Sequence, residues 1–184
     1  MPAARAAAGA AVVRGRLYVV GGVVRPGVLA RSGFALDLAR GRWRTIASPT
    51  AREHLAVTTD GRRIYAVAGR TAGIDTNLSV FESFAPGARA WRSLPRVPEP
   101  RGGTGATFVC GRVISVGGEA PQGTIGSVYA YGTSTREWTR LPDLPTPRHG
   151  LAVVALDGRI YVVAGGPQPG LRVSDANESL DVCP

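Results

Sequence analysis

Lysine is absent from this chain: all 22 basic residues are arginine. That reads as the nucleotide bias of a GC-rich genome rather than as selection for guanidinium chemistry. Cysteine is scarce. Cys110 and Cys183 are the only two, and with no C-x-x-C spacing they give neither a zinc site nor a disulfide framework. Cys110 falls late in an apolar run, where a free thiol is expected to behave as a small hydrophobe. The two histidines, His54 and His149, follow a recurrent arginine by two residues and by one. They share no register, which argues against paired metal ligation, and no His/Asp/Glu cluster has ligand spacing. No run approaches the roughly 18 apolar residues of a membrane helix, and helical periodicity is hard to find anywhere. Acidic residues number 13, leaving a net charge of +9. The arginines are nevertheless spread through the chain, with no dense basic tract and no aromatics interleaved for base stacking, which argues against nucleic acid as the partner.

What the chain does have is glycine (25) and proline (14), the residues that supply positive φ and preset turns between short strands. It also has an internal repeat. Arg5, Arg52, Arg101 and Arg148 are each followed thirteen residues later by Tyr18, Tyr65, Ile114 and Tyr161, and then by the doublets Gly21-Gly22, Ala68-Gly69, Gly117-Gly118 and Ala164-Gly165. Each series steps by 47, 49 and 47 residues. Trp43, Trp91 and Trp138 follow the Tyr or Ile of their own repeats by 25, 26 and 24 residues. Repeats of about 40 to 50 residues made only of short strands signal the blades of a β-propeller. The alanine-rich opening could pass for a signal-peptide core, but the register makes Ala6 to Val13 a first strand.

The third repeat shows the expected blade: strands over 104–110, 113–116, 128–131 and 138–141, joined by turns at 111–112, 117–126 and 132–137. The second strand of each blade is continuously apolar, so both of its faces must be covered by neighbouring blades. The doublet ends it where a side chain would obstruct positive φ or close backbone approach. The tryptophan opens the outer strand, where its indole N–H can find a carbonyl.

The segment Pro145-Thr-Pro-Arg-His-Gly-Leu-Ala-Val-Val-Ala-Leu-Asp-Gly-Arg-Ile-Tyr-Val-Val-Ala-Gly-Gly166, with a later Trp-x-x-Leu-Pro as at Trp138 to Pro142, resembles the kelch repeat. The resemblance runs over essentially all 184 residues. It departs from the pattern where two doublets read Ala-Gly, where Ile114 replaces Tyr, and where the third strand ends in Phe84-Ala85-Pro86 or Val182-Cys183-Pro184. It implies an all-β, kelch-type propeller of four-stranded antiparallel blades, with repeats over roughly 1–49, 50–98, 99–145 and 146–184. A fourth tryptophan would fall near position 186, so the last repeat is expected to lack its outer strand. Kelch propellers commonly have six or seven blades, and the chain is therefore expected to form part of a propeller, to close as a four-bladed ring, or to self-associate.

Function is expected to be non-catalytic binding. The four recurrent arginines should ring one mouth of the channel, where guanidinium forks suit carboxylates. In kelch substrate adaptors, arginines at similar positions grip acidic segments, which points to Arg5, Arg52, Arg101 and Arg148, with Arg70 directly after its doublet. The structural reading of the same residues is that they bond turn carbonyls and staple blades. Loops 23–32, 70–77, 119–126 and 166–175 differ while their flanking strands repeat, as specificity loops do. The expected partner is an acidic protein segment or an anionic small ligand, with no cofactor. The alternative is an enzyme resembling bacterial kelch proteins that interconvert sialic acid anomers, with Glu119 as acid/base. Its arginine neighbours favour an ion pair over a proton shuttle. Copper chemistry of the galactose-oxidase kind lacks its Tyr, His and cross-linked Cys here.

Overall fold

A computed structural model describes residues 1–183. Alternating short strands give four sheets in succession. Blade 1 comprises β1 (Gly9–Val13), β2 (Arg16–Val20), a small hairpin of β3 (Val23–Arg25) and β4 (Val28–Leu29), then β5 (Ser32–Asp37) and β6 (Arg42–Ala47). Blade 2 comprises β7 (Ala56–Thr59), β8 (Ile64–Val67), β9 (Phe81–Phe84) and β10 (Arg92–Ser93). Blade 3 comprises β11 (Gly105–Val109), β12 (Arg112–Ala120), β13 (Gly123–Gly132) and β14 (Trp138–Leu141). Blade 4 has β15 (Ala152–Leu156), β16 (Arg159–Val163) and β17 (Asn177–Asp181), a three-stranded sheet among the described residues. All pairings among the described residues are antiparallel and join strands adjacent in sequence, except that β2 pairs with β5 across the β3–β4 excursion. The only helical turn among the described residues is a 3-10 turn at Ile74–Thr76, and no helix is long and apolar enough to cross a membrane.

Burial follows the blade stack. Three apolar clusters lie between successive blades: Ala11, Tyr18 and Ala35 against Ile64 and Phe84; Tyr65, Val67 and Phe81 against Val113 and Tyr131; Ile114, Val116 and Val128 against Ile160 and Val162. The outward faces of the end blades stay open, with Val12 52% and Val154 54% exposed. As the repeat predicts, Trp91 donates its indole N–H to Ala47 O at 2.9 Å and Trp138 donates to Pro95 O at 2.9 Å, each tying one blade to the one before.

The doublets lie in the left-handed region throughout, at φ +67/+82, +52/+106, +61/+132 and +57/+95. The second position has to be glycine for a further reason: a Cβ on Gly22, Gly69, Gly118 or Gly165 would stand 2.4, 2.7, 3.0 or 2.6 Å from the carbonyl oxygens of Ala6, Glu53, Gly102 and His149. The first position tolerates the alanines at 68 and 164, as the sequence shows. Blade 3 departs from the expected turn over 117–126. Its strands continue past a bulge at Val116/Gly118 and pair Gly118 with Ile125 and Glu119 with Thr124, so the loop is a hairpin extension.

One expectation is overturned outright. Cys110 and Cys183 form a disulfide, with Cα atoms 5.9 Å apart and a sequence separation of 73. Cys110 occupies the β11–β12 turn at φ +48, not the apolar strand. The repeat sets that turn beside the end of β17, a proximity that sequence spacing hides.

Candidate functional site

Each strand reversal puts the recurrent arginines and the doublets on one side of the blades, the doublet face. The turns joining first to second and third to fourth strands lie on the other side, the hairpin face. The recurrent arginines run beneath the doublet face instead of lining its surface. Arg52, Arg101 and Arg148 have no exposed area. Arg52 donates from Nε to Ala68 O at 2.6 Å, from Nη2 to Ala66 O at 3.1 Å and from Nη1 to Thr50 O at 2.9 Å, and Nη1 also meets Glu82. Arg148 repeats this with Ala164 O (2.8 Å), Val162 O (3.0 Å), Thr146 O (2.8 Å) and Glu178 Oε2 (2.8 Å). Arg101 bonds Gly117 O, Ser127 O and Glu99 Oε2 at 3.1, 2.9 and 2.7 Å. Arg5 is half-buried, bonded to Ser32 O at 3.1 Å and seated 4.6 Å over the Phe34 ring.

The partners of these arginines share a register that sequence reasoning missed. Val19, Ala66, Ser115 and Val162 are equivalent, and across the sheet they pair with Phe34, Glu82, Tyr129 and Glu178. Two blades thus place a carboxylate against the arginine and two place an aromatic face, the Arg101 guanidinium lying 5.2 Å from the Tyr129 ring centre. Counting from the repeat would have found these four positions. A buried guanidinium needs its charge and donors met. Burial pulls Arg52 and Arg101 below the ordinary arginine value, and Glu82 and Glu99 pull them back. The expected arc of ligand-facing guanidiniums is therefore not what these three side chains form: their donors are spent on the blades' own carbonyls and acids.

One layer further in, the residue after each arginine bridges the residue after each doublet: Ala6 with Val23, Glu53 with Arg70, Gly102 with Glu119, His149 with Gly166. Only the middle pairs bring ions together. Arg70 donates to Glu119 Oε1 at 2.7 Å and to Glu53 Oε1 at 3.3 Å, with His54 Nε2 3.2 Å from its Nη2. Glu119 is 3% exposed. Its second oxygen accepts from Gly170 N at 3.3 Å, and His149 Nδ1 lies 3.6 Å from the first. The carboxylate thus takes part in a network joining blades 2, 3 and 4. Burial and the Arg70 charge lower the His54 pKa, while Glu53 opposes them. His54 Nδ1 lies 3.3 Å from Glu53 Oε1 without hydrogen-bond alignment. No group of three or more His, Cys, Asp or Glu among the described residues is arranged to hold a metal.

Outside this network the four doublet-face loops share anchors and little else. They form the β3–β4 hairpin, the 3-10 turn, the β12–β13 extension and an irregular segment over 167–176. They carry exposed apolar residues, Val24 at 39%, Leu171 at 104% and Val173 at 92%.

A family model described as the KLHDC2/KLHL20/DRC7 Kelch-repeats domain matches residues 8–178. Among curated proteins the chain is similar to Kelch repeat and BTB domain-containing protein 13 of Homo sapiens, 31% identical over 109 residues. It is also similar to Beta-scruin of Limulus polyphemus, 34% over 116 residues, and to Kelch domain-containing protein 8B of Rattus norvegicus, 35% over 132 residues. These matches cover 58, 59 and 65% of this chain but only 23, 13 and 37% of those proteins' own lengths. With its blades, doublets and strand order, the chain belongs to the kelch-repeat family.

Proposed function

We propose that the chain is an interaction scaffold whose rigid blades present the four doublet-face loops to a protein partner, with an acidic segment as the element grasped. The observation that carries this is the contrast between repeated strands and loops of four different conformations, tipped with exposed Val24, Leu171 and Val173. Exposed apolar tips on a fixed frame suit partner docking. Arg25, Arg31 and Arg172, exposed on or beside the same loops, supply the guanidinium forks in place of the buried Arg52, Arg101 and Arg148. Arg5 and Arg70, half-buried at the rim, contribute field more than donors. The open apolar faces of blades 1 and 4 also favour stacking of a second copy blade to blade, which a concentration-dependent mass in light scattering tests.

A fluorescence-anisotropy titration of a labelled Glu-rich peptide carrying one leucine tests the scaffold reading. Arg25→Glu with Arg172→Glu is expected to weaken binding at least tenfold, about 1.4 kcal/mol. Unchanged affinity in that double variant would overturn the doublet-face site. Mutarotation of a sialic acid by the wild type, lost in Glu119→Gln, would overturn the scaffold reading in favour of a sugar enzyme.

A further inference from the structure

We propose that a cleft between blades 2 and 3 on the hairpin face, on the side away from the doublet-face loops, binds a phosphate monoester dianion. Tyr65, Ser83 and Arg92 lie directly opposite one another on three adjacent strands and so present one lateral row toward blade 3. In blade 3 the matching row reads Ile114, Ala130 and Thr139, so the polar row is a departure from the repeat. Across the cleft stand Tyr131 and Arg136, and Arg63 enters from the β7–β8 turn. The cleft encloses ≈ 200 Å³, room for a phosphoryl group and the first atoms of what carries it.

Charge decides the ligand class. Arg63, Arg92 and Arg136 all line this cleft and no carboxylate does. Among the described residues none of the three is in an ion pair, whereas the doublet-face arginines at 52, 70, 101 and 148 all are. The corresponding cleft in blade 1 brings its own acid: Asp37 lies 3.6 Å from Arg16 and 3.3 Å from Arg40. An adjoining cleft shares Arg63 and Tyr65 and adds Arg14, Arg62 and one carboxylate, Asp60. Asp60 accepts from the amides of Arg62 and Arg63 at 2.7 and 2.6 Å and from the Tyr65 hydroxyl at 2.9 Å and forms no ion pair among the described residues, so one negative charge stands beside several uncompensated guanidiniums. Three planar donor forks around so small a space suit a compact, doubly charged oxyanion. The hydroxyls of Ser83 and Tyr131 add neutral donors, and Leu94 gives an apolar wall for a carrier group. A nucleic-acid duplex instead spreads one charge per about 1.7 Å along its axis and calls for an extended basic track.

Isothermal titration calorimetry at low salt with inorganic phosphate, phosphoserine and phosphotyrosine tests this on the wild type, Arg92→Gln, Arg136→Gln and Arg89→Gln, the last an exposed arginine outside the cleft. Saturable binding is expected. It should weaken about tenfold or more in each cleft variant, as for one charge-assisted hydrogen bond, and stay unchanged in Arg89→Gln. Tighter binding of the amino-acid esters than of inorganic phosphate would assign the source to a phosphorylated side chain, and equal binding to the free ion; both support the site. Circular dichroism confirms that each variant is folded. Absence of saturable binding to all three probes, or equal affinity in wild type and cleft variants, would overturn the proposal. Binding of a short DNA duplex that the same variants weaken, without phosphate-ester binding, would overturn it in favour of a polyanion surface.

Discussion

On the doublet face, Arg52, Arg101 and Arg148 are fully covered and each is met by carbonyls and a carboxylate. On the hairpin face, Arg63, Arg92 and Arg136 stand exposed around a cleft with no acid in its lining. Both sets belong to a chain whose cations are all arginine, so residue type says nothing about which holds the fold and which is free for a ligand. Register does. The buried set falls at one repeat position and recurs in blades 2, 3 and 4, with a carboxylate or an aromatic ring at a second shared position facing it. The exposed set falls at three different positions and is assembled only where blades 2 and 3 meet.

The comparison breaks first on stability. Arg52→Met leaves the Glu82 carboxylate, 6% exposed, without its cation, and removing one partner of a buried pair costs about 3–5 kcal/mol. Urea denaturation should show this as a drop in midpoint with little change in slope. The double variant Arg52→Met with Glu82→Leu should recover a large part of the loss, because no uncompensated charge then remains buried. No recovery would mean that the arginine's bonds to Ala66 and Ala68 carbonyls, not the ion pair, carry the effect.

The hairpin face has a tie of a different kind. Cys110–Cys183 joins the first turn of blade 3 to the end of blade 4 across 73 residues, and closing a loop of that length restricts the unfolded chain by up to about 4 kcal/mol. Cys110→Ser, or reductant on the wild type, is expected to lower the denaturation midpoint, with blade 4 the first to lose amide protection in hydrogen exchange. Equal midpoints with and without reductant would show that blade 4 is held by the Ile160 and Val162 packing and by Arg148 alone.

Much of this fold was legible in the residues. The thirteen-residue spacing from arginine to Tyr or Ile, the doublets and the tryptophans placed the first and fourth strands of blade 3, and the start of its second, to within a residue, because turn chemistry and burial both repeat with the blade. The hairpin extension past Gly118 was not legible, since a bulge lets a strand continue through residues that elsewhere end it. The candidate site was legible only in part. Sequence marks the recurrent arginines as special, yet a side chain that must be solvated by ligand and one that must be solvated by its own backbone look alike until the partners at Glu82, Tyr129 and Glu178 are aligned with them. Disulfide pairing and the hairpin-face cleft depend on contacts between blades, for which no local pattern exists.

His54 sharpens the comparison by pH. Its pKa is lowered from the ordinary 6.5, first by burial and then by Arg70, against the pull of Glu53 and Glu119. The unfolded chain therefore binds the proton more readily, and stability is full above about pH 6.5 and falls as pH drops toward the lowered value. A denaturation series from pH 8 to 5 should be flat and then decline. His54→Asn, which keeps a side chain tolerant of the positive φ of +50 at this position, should remove that decline; a decline that persists in His54→Asn would assign it to another group. Acid acts on blade 4 lower still, because hydrogen bonds from Thr146 and Arg148 outweigh burial and hold the Glu178 carboxyl below its ordinary value.

The smallest expected effect is the most telling. Arg92→Gln and Arg136→Gln remove guanidiniums that face solvent and have no acid beside them, and surface substitutions away from such pairs usually change stability by within about 0.5 kcal/mol. Each variant also removes one positive charge from a chain at +9, which relieves self-repulsion. The denaturation midpoint is therefore expected to hold steady or rise slightly at low salt, and to converge on the wild-type value as salt screens the field. A residue kept for the fold would behave in the opposite way and lose stability at every salt concentration, as Arg52→Met should. Measured side by side at two ionic strengths, the two kinds of substitution separate an arginine that the blade consumes from one that it holds out to solvent. Destabilisation of more than about 1 kcal/mol by Arg92→Gln at high salt would place it among the structural arginines.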